Sequence, residues 1–166
     1  VLGKFIIIMS AAFLTAFLAL GGILIGIQQI SEIPSDLLIL INEIFTIKTI
    51  ALIMTLVLPV SAFFSAALLG LSIYAKSFKE AQSIVAPLNI VIIFPAVIGT
   101  LPGIELNAIT SLIPILNVSL ASKDIIAGVM NPVYMTEVYL SLFGFAALSL
   151  YWCVRSFNKE STIFRN

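Results

Sequence analysis

The residues best suited to chemistry are amides and hydroxyls beside helix breakers: Asn89 and Pro95, then Asn107, Ser111, Pro114, Asn117 and Ser119. Proline removes a backbone N–H and frees a carbonyl. In an apolar bundle, a freed carbonyl and a nearby amide can together line a polar path. The same side chains can instead do no more than satisfy the interrupted backbone, and on the residues alone both readings stay open. A second group, Lys76, Lys79 and Glu80, lies in a short polar stretch. Glutamate suits the first turn of a helix and lysine reaches to headgroups, so these residues either anchor a helix start or meet a partner protein. Other chemistry is missing. There is no histidine, which removes His-dependent metal sites and His-based triads. The single cysteine, Cys153, excludes an internal disulfide and a multi-cysteine metal site. No Walker A, His-Glu-x-x-His or Gly-x-Ser-x-Gly pattern occurs, so the chain is not itself a P-loop ATPase, and no catalytic or metal-binding residue is expected.

The composition says what must position these residues. Of 166 residues, 61% are hydrophobic and 10% charged, with a mean hydropathy of +1.20. A soluble domain is about a quarter charged. So few charges cannot cover a water-facing surface, and the solvent for most side chains must be lipid. A net charge of zero implies no attraction to nucleic acid. The expected fold is an all-α membrane protein of about four transmembrane helices, with a re-entrant helical hairpin and a short interfacial helix.

The first span is expected over 5–27, roughly 35 Å long at 1.5 Å per residue. That run is too long for a signal-peptide core. Because it follows Val1 directly, the start reads as a cut, or else as a natural short reading frame. Pro34–Thr46 places Asp36, Glu43 and Thr46 near one face and Leu37, Leu40, Ile41 and Ile44 on the other. This is the pattern of an amphipathic helix at the membrane surface, or of an extension of the next span. The second span is expected over 49–74, kinked at Pro59, with small residues at four-residue spacing from Ser61 to Gly70 that let backbones approach. A polar loop, 75–82, precedes a third span over 83–98, which Pro87 and Pro95 should keep short and bent. Leu101-Pro102-Gly103 reads as a turn. The stretch 107–128 is too polar and too broken at Pro114 for a clean span and reads as re-entrant. The last span, 133–154, opens at Asn131-Pro132 and ends in a basic tail.

With Lys4 cytoplasmic, four crossings place Lys4, Lys76, Lys79, Arg155, Lys159 and Arg165 inside and only Lys48 and Lys123 outside. This fits the positive-inside rule. A full crossing by 107–120 would send the basic tail outside.

Three ordered blocks carry a family resemblance. They are Ser77-Phe78-Lys79-Glu80-Ala81-Gln82-Ser83 with Pro87; Leu101-Pro102-Gly103-Ile104-Glu105-Leu106-Asn107 followed by Ile113-Pro114-Ile115-Leu116-Asn117-Val118-Ser119-Leu120 and Lys123; and Phe157-Asn158-Lys159-Glu160 with Phe164-Arg165. They resemble the NatB-like, sodium-exporter type of permease within the type-2 ABC exporters, closely from about Ala75 onward and only in pattern before it. The resemblance implies that residues 1–166 are the C-terminal portion of a transmembrane domain in the plasma (inner) membrane. It implies a separate P-loop ATPase subunit that uses ATP and Mg²⁺, a second permease subunit in a homo- or heterodimer, and export of Na⁺ or another substrate. The chain departs from that family in lacking its first span, its outer domain and its coupling helix.

On this reading Asn89, Pro95, Asn107, Pro114, Asn117 and Ser119 would line the substrate path or outer gate, and Lys76, Lys79 and Glu80 the ATPase-facing loop. Two rival readings are a non-catalytic membrane subunit that anchors or regulates partners, and an intramembrane protease. The second needs histidines that this chain lacks.

Overall fold

A computed structural model describes residues 2–29, 34, 39, 41 and 43–163. Helices α1 (Leu2–Gln29), α2 (Ile47–Ser72), α3 (Phe78–Thr100), α4 (Leu116–Ala127) and α5 (Pro132–Ile163) follow one another, with one 3-10 turn at Thr110–Leu112 before α4. Among the described residues there is no strand. Four of these helices, α1, α2, α3 and α5, are long and apolar enough to cross a membrane. This chain is therefore an all-helical membrane protein. The expected interfacial helix over Pro34–Thr46 falls largely outside the described residues.

Local signals set most helix ends. Thr46 caps α2, its hydroxyl accepting from Thr49 N at 3.2 Å. Asn131 caps α5, its side-chain oxygen accepting from Val133 N at 3.0 Å, with Pro132 in the first helical position, where a missing N–H costs nothing. Gly128, at φ 71°, closes α4 in the left-handed conformation that glycine adopts without strain.

The third span differs from the sequence expectation. It begins at Phe78 and continues to Thr100, with Pro87 and Pro95 both inside it. Residues 78–82 form its first turns and not a loop. The reason is a reciprocal cap: Ser77 Oγ accepts from Glu80 N at 3.2 Å, and Glu80 Oε2 accepts from Lys76 N at 2.9 Å. Two orphan donors are thereby satisfied before the apolar run begins. Each proline removes one ladder bond without ending the helix.

Helices α2 and α5 form the central pair, and they run parallel. Thr55 bonds Tyr139 through their hydroxyls, Phe63 meets Phe145 edge-on at 6.1 Å, and Tyr74 stacks on Trp152 at 6.4 Å. Both sequences rise together along the contact. Gly70 lets the Trp152 ring lie on the α2 backbone, where a Cβ would overlap it. Parallel neighbours require one return crossing between them, and α3 supplies it. The short elements between α3 and α5 therefore sit at the end of the bundle where α2 begins. Their apolar residues build the core there: Leu116, Leu120, Ala121 and Ile125 of α4 pack with Leu56 of α2 and Met135, Val138 and Leu142 of α5. Helix α1 packs on α2 and leaves Ile7, Leu18 and Ile25 exposed, a surface suited to lipid.

Candidate functional site

The polar residues singled out between Asn107 and Ser119 lie in this core-bearing end. Asn107 shapes the 3-10 turn, its Oδ1 accepting from Ile109 N at 2.9 Å and Thr110 N at 3.0 Å. The turn ends at Ile113, Pro114 follows, and Ile115 takes φ 73°. A β-branched residue with positive φ is strained, so the surrounding packing must hold this break open. Helix α4 then starts, with Asn117 N donating to Ile113 O at 2.9 Å.

The break is tied to α5 by side chains. Ser111, fully buried, donates its hydroxyl to Glu137 Oε2 at 2.8 Å. Asn117, also fully buried, donates Nδ2 to Ser111 O at 2.9 Å and stands 3.5 Å from Ser141 Oγ. Ser141 donates to Leu112 O at 3.2 Å. Glu137 and Ser141 are four residues apart and so share one face of α5. Carbonyls released by the break are thus met by Asn117 and Ser141. Asn117 Oδ1 has no hydrogen-bond partner among the described residues. A buried orphan acceptor costs about 1–3 kcal/mol, which makes this seam a polar point in an apolar core.

The remaining predicted residues are dispersed. Ser119 Oγ donates to Ala96 O at 3.1 Å, one residue after Pro95, and Gly99 allows this close approach because a Cβ there would overlap Ser119. Pro95 and Pro114 are half-buried. Asn89 is exposed and lies with Phe78 and Gln82 in a shallow groove of about 460 Å³ along α3, apart from Asn117. Lys76, Lys79 and Glu80 are exposed. Because α2 and α5 are parallel, they share an end of the bundle with Arg155, whose Nη1 donates to Tyr151 Oη at 3.1 Å. Sequence reasoning missed Ser77, Glu137 and Ser141. Ser77 was legible as Ser-x-x-Glu, and Glu137 and Ser141 as a polar pair at helical spacing in an otherwise apolar run.

At the opposite end, Glu105, Lys123 and Asp124 gather. Lys123 Nζ donates to Ile104 O at 3.2 Å. Burial pushes the Asp124 carboxyl above the usual range, Lys123 works against this, and Glu105 adds to it.

Comparison with protein-family models, with curated proteins and with solved structures finds no match to this chain.

Proposed function

We propose that the chain is a transmembrane permease subunit of an ATP-driven exporter of the ABC type, sitting in the plasma membrane, with Na⁺ as the first substrate to test. ATP would be hydrolysed by a separate P-loop subunit, and the path would form with a second permease subunit. The three motif blocks support this reading. The observation that carries it is the parallel arrangement of α2 and α5. It groups Lys76, Lys79 and Arg155 at one end, the distribution expected of a cytoplasmic face. It also leaves the 3-10 turn and α4 at the other end, where a helix of 12 residues, about 18 Å, is too short to span.

In this reading 107–128 dips into the membrane from the outer side as a re-entrant element, and the Ser111–Asn117–Glu137 seam borders the outer gate. ATP binding in the partner would shift the two halves between inward- and outward-open states. Co-expression of the full permease with its ATPase in sealed vesicles tests it. ATP-dependent Na⁺ efflux is the expected result, and its absence for Na⁺ and for every other cargo tried would sink the proposal.

A further inference from the structure

Two cavities meet at Lys123. One is a groove of about 710 Å³ between the end of α3 and α4, lined by Gly99, Thr100, Ser119, Ser122, Lys123 and Ile126 among others. Beyond it α3 exposes Phe94 and Val97, an apolar surface that bilayer lipid would cover. The other is a cavity of about 400 Å³ that holds Glu105, Asp124, Asn131 and Tyr134, with Lys123 on its wall as well. Lys123 spends one donor on Ile104 O, and an ammonium has three. Neither the Glu105 nor the Asp124 side chain accepts a hydrogen bond among the described residues. Both carboxylates line the smaller cavity, where the charge of Glu105 adds to the upward push that burial gives the Asp124 carboxyl.

Read outward, the order is apolar groove, single cation, paired carboxylates. We propose that this double cavity binds one bilayer phospholipid with a zwitterionic, amine-bearing headgroup of the phosphoethanolamine class. The acyl chain lies in the groove, the phosphate meets Lys123 and the neighbouring hydroxyls, and the primary ammonium bridges Glu105 and Asp124. An anionic glycerol headgroup matches the groove and Lys123 but leaves the carboxylate pair unneutralised. A choline headgroup carries the charge but has no N–H to donate. The proposal rests on the four apolar helices lying in a bilayer and not on ATP-driven export, so it stands or falls without the ATPase.

The test uses the purified, delipidated full chain in detergent. The protein is titrated with an equimolar mixture of phosphatidylethanolamine, phosphatidylglycerol and phosphatidylcholine of identical acyl chains, and bound lipid is read by native mass spectrometry. Phosphatidylethanolamine is expected to exceed each competitor by about twofold to fivefold, the range of one partly exposed ion pair. In the double variant Glu105→Gln/Asp124→Asn the three lipids should bind alike while total retention persists. Ser122→Phe, which narrows the groove, should lower retention of all three. Equal binding of the three lipids by the unaltered chain overturns the proposal, as does a preference that survives the double variant. If that variant does not fold, the unaltered chain at roughly pH 3.5, where carboxyls are largely protonated, supplies the same comparison. Loss of preference there supports the site and persistence overturns it.

Discussion

The Ser111 hydroxyl reaches Glu137 Oε2 at 2.8 Å, joining two residues 26 apart in the chain. It fastens the Pro114 break to α5 and places the one carboxylate of that seam on a buried donor. Glu137 forms no ion pair with another described residue, so this bond is a main anchor of the break. Removing either partner should destabilise the fold by about 1–3 kcal/mol, and a Ser111→Ala/Glu137→Ala cycle should show coupling of about 1 kcal/mol. Unfolding midpoints in mixed detergent measure both, and strictly additive losses would contradict the contact.

Trp152 is the single tryptophan, and its ring lies where a Cβ on Gly70 would be. Gly70→Val should therefore displace the ring and cost about 1–3 kcal/mol by overpacking. The Trp152 emission spectrum should shift with it. Adding Trp152→Leu should recover part of the lost stability, because the smaller side chain can retreat from the new methyl groups.

The parallel α2–α5 pair makes a topological prediction. Native Cys153 is buried and should stay silent to a membrane-impermeant maleimide. Cysteines at Lys76 and Arg155 should label from one side of the membrane and a cysteine at Lys123 from the other. Labelling of positions 76 and 155 from opposite sides would refute the arrangement.

Asp124 should make stability depend on pH. Its folded-state carboxyl is held above the usual range, chiefly by burial, so the folded chain binds the proton more tightly than the unfolded chain does. By linkage, the folded state then loses stability as pH rises from the ordinary carboxyl range through the raised folded value, and keeps the full contribution below that range. Asp124→Asn should flatten this dependence and raise the melting temperature at neutral pH. An unchanged slope between acid and neutral pH would show that another group is responsible.

Gly99 and Ser119 form a second close approach, between α3 and α4. Gly99→Ala should push α4 off α3 and break the Ser119–Ala96 bond. Since α4 carries Asn117, hydrogen–deuterium exchange should rise over 110–127, and Ser119→Gly should restore protection.

Much of the fold was legible in the residues because lipid imposes a local rule: a run of about twenty apolar residues must be helical and long enough to cross. Thr46, Asn131 and Gly128 mark their own helix ends in the same local way. The third span starts earlier and runs longer than its prolines suggest because the Ser77–Glu80 cap begins the helix at Phe78, and the ladder bonds lost at Pro87 and Pro95 do not end a helix whose start is well satisfied. Of the polar residues near the break, Ser111 and Asn117 stand out in the sequence, whereas Glu137 and Ser141, which meet them from α5, do not.

What the sequence alone determined is the class of protein, the four apolar helices and the polar break between the third and the last. The tertiary structure decided that α2 and α5 run side by side in parallel, that α4 stays at one end, and that Glu137 and Ser141 close on Ser111 and Asn117. Periodicity and hydropathy act along one segment at a time. Between helices in lipid there is no hydrophobic preference for one neighbour over another, so pairing depends on shape, on glycines such as Gly70 and Gly99, and on a few hydrogen bonds that only the packed bundle brings within reach.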